Sequence, residues 1–280
     1  MIKTRNQRVD NRRNITIQAH GAREGCYVTT FQGPLSVWKA YKRGAYLSAS
    51  PCPRGGGPYS KGHDDNEGSD IRADALDIIR ARGIRWGAYG DPAMLPLFAV
   101  EAWTDKRARW TGYTHQWRAD HAEGFQGYLM ASVESDADKA EANARGWRTF
   151  RVNEDGQPMK DEIVCPASDE GGKVTDCQTC GLCNGAEGSV QWRADSRNWK
   201  RPENGVVLYE GPSAIDGAPI VAIATGFKKP SDNPKTGTMV QVWILRADIA
   251  PHEAQKTGED ASICGDCPMR PLLVKMARAH

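Results

Sequence analysis

The stretch "SDIRADALDIIRARGIRWGAYGDPAML" (69–95) carries the clearest secondary-structure signals in this sequence. Four apolar residues recur in it at helical spacing: Ile71, Ala75, Ile78 and Ile79. They predict a helix that begins after an N-cap at Ser69 and stops at Gly83, because glycine readily adopts the left-handed conformation that ends helices. The apolar run "GIRWGAYG" (83–90) then predicts a strand. The stretch therefore predicts one helix–strand step of an α/β fold.

The same alternation continues on both sides of this step. Helical character returns in 91–108, and Ser135 can cap a further helix that Gly146 ends. The remaining predicted strands are 110–117, 127–134, 147–152, 162–167, 206–210, 218–226 and 238–249. Alternating helices and short apolar strands favour parallel βαβ units. We therefore expect a single α/β domain over 1–280, either a complete or partial (βα) barrel or a doubly wound sheet.

Composition limits the location and the partners of the chain. Its 280 residues are 39% hydrophobic and 26% charged, and no apolar run approaches the roughly 18 residues that a membrane span needs. The basic opening "MIKTRNQRVDNRR" (1–13) lacks the apolar core and the cleavage site of a secretory signal. We therefore expect a cytoplasmic protein with no membrane partner. A formal net charge of +2 is compatible with nucleic acid as a partner but does not require it.

Four of the eight cysteines form the strongest chemical signal. Cys177, Cys180 and Cys183 make a CxxCxxC run, and Cys165 lies a short loop upstream, followed by proline. Four thiolates in one tight loop match the ligands of a [4Fe-4S] cluster, and proline also follows the outlying cysteine of ferredoxins. The alternative is a zinc site with four thiolates, although zinc sites more often use two separated CxxC pairs. The sequence thus predicts a metal-binding loop over 165–183.

A second cysteine group is split between the two ends of the chain. Cys264 and Cys267 form a CxxC, and Cys26 is the best placed third thiolate. Three thiolates would leave one iron of a [4Fe-4S] cluster with a vacant position. Remote segments can meet in this way in a closed barrel, whose first and last elements are neighbours. The alternative is a buried Cys26 thiol, with the Cys264 and Cys267 pair binding zinc through His252 or His280, or binding nothing.

Three features give the sequence a resemblance to a family of phage-encoded, cysteine-rich proteins that are similar to radical SAM enzymes. They are the three-cysteine set that ends in "GCY" (25–27), the "YGDPAML" (89–95) after one strand and the "ASVES" (131–135) at the end of another. The resemblance covers roughly residues 21–183 and 238–280. It implies a barrel of radical-SAM type with cysteine-rich metal-binding loops, in the host cytoplasm if the protein is phage-encoded.

The resemblance also implies roles for particular residues. Cys26, Cys264 and Cys267 would hold a [4Fe-4S] cluster whose fourth iron chelates S-adenosylmethionine. A reductant would supply the electron that cleaves this cofactor to a 5'-deoxyadenosyl radical. Further contacts to the cofactor are implied for one turn and one strand end: Tyr89, Gly90, Asp91, Pro92, Ser132 and Glu134. The loop 165–183 would then hold an auxiliary cluster.

Two departures from the family pattern accompany this resemblance. The usual CxxxCxxC is absent, since the set is a CxxC with a remote cysteine. The order of segments also differs, because in relatives a segment like 206–280 leads directly into one like 21–47. The resemblance therefore implies a circular permutation in which 206–280 is the first barrel segment, placed last in the chain.

The segment "WTGYTHQWR" (110–118) has two interpretations. Tyr113, His115 and Trp117 alternate, so they would share one face of a strand that Arg118 ends. In the first interpretation they face the barrel lumen and Tyr113, His115 and Arg118 are catalytic, with His115 as an acid or base and Arg118 binding an anionic group of an unidentified substrate. In the second they are aromatic packing around a buried histidine.

A second hypothesis assigns the chain no catalysis. Zinc or an iron–sulfur cluster would stabilise the loops of a binding module, and "QWRADSRNWKR" (191–201) would contact nucleic acid or a protein partner through its interleaved arginine and tryptophan residues. Hydrolysis at a zinc site is disfavoured, because the sequence has no HExxH or comparable spacing.

Overall fold

The computed structural model describes residues 14–18, 32–49, 65–104, 108–153, 157–159, 161–168, 171–186, 204–227 and 239–257. The strands are β1 (Asn14–Gln18), β2 (Leu47–Ser48), β3 (Ile84–Tyr89), β4 (Trp110–Thr111), β5 (Tyr113–Thr114), β6 (Met130–Val133), β7 (Thr149–Asn153), β8 (Glu162–Val164), β9 (Val206–Pro212), β10 (Pro219–Thr225) and β11 (Val240–Arg246). The helices are α1 (Gly33–Lys42), α2 (Asp65–Arg82), α3 (Leu97–Trp103), α4 (Asp136–Ala144), α5 (Cys177–Cys180) and α6 (Pro251–Thr257). Short 3₁₀ turns lie at Pro92–Met94, Asp120–Ala122 and Phe125–Gly127.

Residues 110–114 connect two sheets. The strands of one sheet lie in the order β2-β9-β10-β11-β3-β4, and those of the other in the order β5-β6-β7-β1-β8. β4 pairs with β3 and β5 pairs with β6, and only Gly112 separates β4 from β5 in the chain. The two sheets are therefore adjacent along this one segment.

Most neighbouring strands run parallel, in agreement with the helix–strand alternation of the sequence. β11, β3 and β4 are parallel to one another, and so are β5, β6, β7, β1 and β8. β10 departs from this pattern, because it is antiparallel to both β9 and β11. Among the described strands no pairing joins the outer strands β2 and β8. The structure is thus mixed α/β, and both the barrel and the permutation stay predictions.

α2 and β3 form the helix–strand step that residues 69–95 predict. The strand is confirmed at Ile84–Tyr89, and Gly83 ends the helix with a φ of +76°, its N–H donating to the Ile79 carbonyl at 2.6 Å. The predicted start is wrong, because α2 begins at Asp65 and Ser69 lies inside it. The first turn is polar, "DNEGSD" (65–70), and therefore has no apolar periodicity by which to recognise it.

The strand predicted at 110–117 is broken and short. Gly112 divides it into β4 and β5, and β5 ends at Thr114. Beyond that point the Gln116 N–H donates to the Thr114 hydroxyl at 2.9 Å and the His115 N–H donates to Asp91 at 2.8 Å. Because these two N–H groups donate to side chains, they do not pair with a neighbouring strand, and the strand ends at Thr114.

The N-cap predicted at Ser135 is confirmed. Its Oγ accepts the Asp138 N–H at 3.1 Å, so one of the unpaired N–H groups at the start of α4 is satisfied. Gly146 follows the helix with a φ of +82°, as predicted. The strand predicted just before this helix is confirmed in a shorter form, β6.

The main core is formed by tryptophans and aliphatic side chains around β3 and β9–β11. The Trp86 indole donates to Thr104 Oγ1 at 3.0 Å and the Trp103 indole to the Leu208 carbonyl at 3.1 Å, so both buried N–H groups are satisfied. In the part of the chain that the structure describes, no helix combines the length and apolar character needed to cross a membrane.

Candidate metal centre

The four cysteines of the loop 165–183 surround one pocket. Cys165 directly follows β8, Cys177 and Cys180 are the first and last residues of α5, and Cys183 lies three residues further on. All four line this pocket, together with Thr111, Tyr113, Pro166, Ala167, Gly181 and Leu182. The structure thus brings together the four thiols that the sequence spacing grouped.

The pocket lies on one face of the five-stranded sheet. Cys183 forms a cluster there with side chains from four strands: Tyr113, Met130, Phe150 and Ile163. Side chains alternate between the two faces of a strand, so Arg151 and Glu162 lie on the opposite face. There Arg151 pairs with Glu162 at 2.8 Å, and Glu162 lies 3.6 Å from Lys139 of α4. The cysteine loop therefore covers the sheet face opposite to α4.

Burial disfavours ionisation of the thiols in this pocket. It raises the pKa of Cys183 to about 12, and it also raises the pKa values of Cys165 and Cys180. The Tyr113 hydroxyl donates a hydrogen bond to Cys183 Sγ, which acts in the opposite direction because it favours the thiolate. A thiolate here needs a compensating positive charge, which a bound metal supplies.

The short helix α5 is held at both ends. At its start Asp176 Oδ1 accepts the Thr179 N–H at 2.6 Å, and at its end Gly181 is left-handed with a φ of +63°. Arg109 donates to the carbonyls of Thr179, at 2.5 Å, and of Gln178. A carboxylate at the N-terminus and a guanidinium at the C-terminus therefore fix the turn that carries Cys177 and Cys180.

A buried arginine holds the end of the loop against the sheet. Arg148, which precedes β7, is 5% exposed. Its guanidinium donates to the Leu182 carbonyl at 2.9 Å, to Asn184 Oδ1 at 3.1 Å and to the Gly185 carbonyl at 2.7 Å. The backbone on both sides of Cys183 is thus bound to one rigid group.

The donor set would suit either a [4Fe-4S] cluster or one zinc ion. Four thiols line the pocket, and no His, Asp or Glu is among its described lining residues. Among the described residues, no group of three or more His, Cys, Asp or Glu side chains is arranged to hold one metal ion. In a [4Fe-4S] cluster each of the four thiolates would bind a different iron, whereas one zinc ion would take all four.

The turn predicted to contact S-adenosylmethionine lies at the end of β3. Asp91 is 4% exposed, and its carboxylate accepts the N–H groups of Ala93 at 2.9 Å and His115 at 2.8 Å. Burial raises the pKa of Asp91, although the nearby His115 and a hydrogen bond from Thr114 act against this. Both oxygens of Asp91 thus connect the turn to the end of β5. The flanking Tyr89 and Pro92 are buried, and Gly90 has a φ of +78°.

Ser132 and Glu134 lie at the carboxyl end of β6. Ser132 is half-buried and its carbonyl accepts the Trp117 indole N–H at 3.1 Å, whereas Glu134 is exposed. β3 and β4, like β5 and β6, run parallel, so their carboxyl ends lie on the same side of the joined sheets. The structure therefore places Asp91, His115 and Glu134 at one edge, and their contact with a cofactor stays a prediction.

The residues predicted as catalytic do not share one strand face. Tyr113 lines the cysteine pocket, whereas His115 is exposed. The shared-face prediction is wrong because β5 ends at Thr114, before the alternation reaches His115 and Trp117. Of the second interpretation, the buried histidine is wrong, since His115 lies beyond the strand and is exposed, whereas aromatic packing is confirmed for Tyr113 and the buried Trp117.

Arg118 is engaged by acidic side chains of α4. Its guanidinium pairs with Glu141 at 2.8 Å and with Asp138, and it stacks on the Trp117 ring at 3.8 Å. An anionic substrate would have to displace these carboxylates to bind Arg118.

Several predicted site residues lie outside the described residues. They are the three-cysteine set of Cys26, Cys264 and Cys267, together with His280 and the segment 191–201. Their convergence stays a prediction.

Three contributors to the cysteine pocket were missed at the sequence level. Tyr113 was assigned to a different site, and Arg109 and Arg148 lie far from the cysteines in the chain. A fourth residue, Asp176, has a recognisable signal in the sequence, because an aspartate directly before "CQTC" (177–180) is typical of an N-cap.

Comparison of the chain with models of known protein families, with curated proteins and with solved structures gives no match.

Proposed function

We propose that this chain is an iron–sulfur protein in which Cys165, Cys177, Cys180 and Cys183 hold a [4Fe-4S] cluster. The observation that carries the proposal is the pocket lined by all four thiols, with no His, Asp or Glu among its described lining residues. The pattern of successive CxxC steps is typical of cluster-binding loops. Zinc sites more often use two separated CxxC pairs than a CxxCxxC run, which favours a cluster over the alternative of one zinc ion.

The surroundings of the pocket suit a shielded redox centre. Cys183 is 7% exposed and packs against apolar side chains of the sheet, so this corner of the cluster would be kept from water. Cys165, Cys177 and Cys180 are half-buried, so the other corners would lie nearer the surface. A bound cluster would supply one-electron chemistry, with the protein setting its potential through burial and hydrogen bonds.

We further propose that this site is auxiliary to a radical-SAM-type site, with Cys26, Cys264 and Cys267 as ligands of the first cluster. The resemblance in sequence supports this extension. The geometry adds that Tyr113 of the pocket and His115, which binds the turn 89–92, are two residues apart, or about 7 Å along the backbone. Such a protein would work in a reducing cytoplasm with a reductant as partner, on a substrate that the residues do not identify.

The first test is the metal content of protein purified without oxygen. We expect brown protein, with charge-transfer absorption in the visible range. It should contain about four iron atoms and four sulfide ions per occupied site. Cys177→Ser or Cys183→Ser should remove one site's iron. Cys52→Ser is the matched control and should leave the iron unchanged. Colourless protein that holds zinc would overturn the proposal and favour the binding-module alternative.

The radical SAM extension has a separate test. Reduced protein incubated with S-adenosylmethionine should release 5'-deoxyadenosine. Cys26→Ala should abolish the release and keep the iron held by Cys165, Cys177, Cys180 and Cys183. If the unaltered protein holds a normal auxiliary cluster but does not cleave S-adenosylmethionine, the radical SAM proposal is wrong. The protein would then be an iron–sulfur protein that acts in electron transfer or in binding.

A further inference from the structure

Tyr113 occupies a different place from the other residues predicted as catalytic. Its side chain lines the pocket of the four cysteines, and its hydroxyl hydrogen-bonds to Cys183. It is the first residue of β5, next to Gly112, whose N–H donates to the Cys183 carbonyl at 3.1 Å. The backbone and side chain of this strand therefore both contact Cys183.

The Tyr113 ring is held in one orientation by its neighbours. It packs on Phe150 with ring centroids 4.5 Å apart and planes inclined by 53°. Met130 and Ile163 belong to the same apolar cluster. A ring confined in this way keeps its hydroxyl aimed at the Cys183 sulfur without an entropic cost at each redox event.

Three of the four thiols receive different kinds of donor. The Ala167 N–H donates to Cys165 Sγ, and the Leu182 N–H donates to Cys180 Sγ. Cys183, which is the most deeply buried, receives the hydroxyl of Tyr113 instead. A side-chain donor can be removed by substitution, whereas a backbone donor cannot.

We infer that Tyr113 is a positioning residue for the cluster, and that its hydroxyl raises the cluster's reduction potential through a hydrogen bond to the Cys183 thiolate. The inference rests on the proposed [4Fe-4S] site. Its physical basis is that reduction adds negative charge to the cluster, and a donor on a ligand sulfur stabilises that charge. The effect is stronger in a buried, water-poor site than in water.

The test is the midpoint potential of the Tyr113→Phe holoprotein, measured in a redox titration followed by electron paramagnetic resonance. We expect a shift to more negative potential with unchanged iron and sulfide content. Pulsed resonance after exchange into D₂O should also show the loss of one exchangeable proton near the cluster. Tyr41→Phe is the matched control, because Tyr41 donates to Glu210 at 2.6 Å and does not line the pocket. It should change neither property.

A second measurement covers the case in which Tyr113→Phe does not fold. Protein grown with 3-fluorotyrosine carries a stronger hydroxyl donor and should show a more positive potential. If the midpoint potential is unchanged in both experiments and the iron content is normal, the role of Tyr113 is overturned and the proposed cluster is not. Absence of any cluster in the unaltered protein overturns the proposed function, so the two failures are distinguishable.

Discussion

Two buried carboxyls, Asp91 and Glu162, show how single residues respond to different partners. Asp91 accepts N–H groups of the backbone, and burial raises its pKa. Burial also opposes ionisation of Glu162, but Arg151 donates to both of its oxygens at 2.8 Å and keeps its pKa below the usual range. For Asp91 the burial effect outweighs its hydrogen bonds and the nearby His115, whereas for Glu162 the two hydrogen bonds from the Arg151 cation reverse it.

Asp91→Asn should destabilise the protein by about 1–3 kcal/mol, because one N–H donor of the turn would then face an amide NH₂ group. The loss should depend on pH. The folded-state pKa of Asp91 is raised above its ordinary value of 3.8. The contribution of Asp91 to the free energy of unfolding is therefore full below pH 3.8 and declines as the pH rises towards the folded-state pKa. Urea unfolding of both proteins at several pH values would measure this decline.

Glu162→Gln is the control with the opposite sign. The pKa of Glu162 is lowered from 4.5. Its contribution to the free energy of unfolding is therefore present above pH 4.5 and is lost as the pH falls through the folded-state pKa. The cost of Glu162→Gln should therefore be large near neutral pH and shrink in acid. The same pH trend for both variants would contradict the assignment.

At the scale of elements, α5 forms because its two ends are satisfied from outside its single turn. A four-residue helix has almost no backbone hydrogen bonds of its own, so Asp176 and Arg109 replace the missing partners. The geometry of the CxxC therefore depends on residues that do not bind metal.

Asp176→Ala should weaken cluster binding without removing a ligand. Loss of an N-cap destabilises a helix by about 1 kcal/mol, and here the loss falls on the turn that orients Cys177 and Cys180. We expect iron to leave the protein several-fold faster in the presence of a chelator. Asp176→Asn keeps the acceptor and should behave like the unaltered protein, and equal rates for Asp176→Ala would show that the cap is not needed.

At the scale of the whole molecule, the segment 110–114 connects the two sheets. Its first half belongs to one sheet and its second half to the other. Gly112 accepts the Met130 N–H and donates to the Cys183 carbonyl, at 3.0 and 3.1 Å. A Cβ on Gly112 would lie 2.5 Å from Leu129 Cδ2 and 3.0 Å from Trp86 Cβ.

Gly112→Ala should destabilise the whole protein by about 1–3 kcal/mol through overpacking. Iron retention should fall together with stability, because the displaced strand carries the contacts to Cys183. Chemical denaturation and iron release measured on the same samples would check both effects. Adding Leu129→Val should recover part of the loss, since it shortens the side chain that the new methyl group meets. Additive costs in the double variant would show that the two sites are not coupled.

The sequence predicted those features that depend on neighbours in the chain. Gly83 and Ser135 mark the end of one helix and the start of another, because backbone conformation and capping are local properties. The spacing of Cys177, Cys180 and Cys183 likewise predicted one loop around one site. Two predictions, the start of α2 at Ser69 and the unbroken strand 110–117, were wrong. Neither the polar first turn of α2 nor the break at Gly112 has a periodic pattern by which the sequence could reveal it.

The sequence by itself thus determined the alternation of helices and strands and the grouping of four thiols in 165–183. Only the tertiary structure decided that Tyr113 contacts Cys183, that Asp91 holds the end of β5 and that Arg148 fixes the cysteine loop. The partners in these contacts are separated by 24 to 70 residues. Such pairs are selected by strand pairing and by the burial of polar groups, which depend on the whole fold rather than on local sequence.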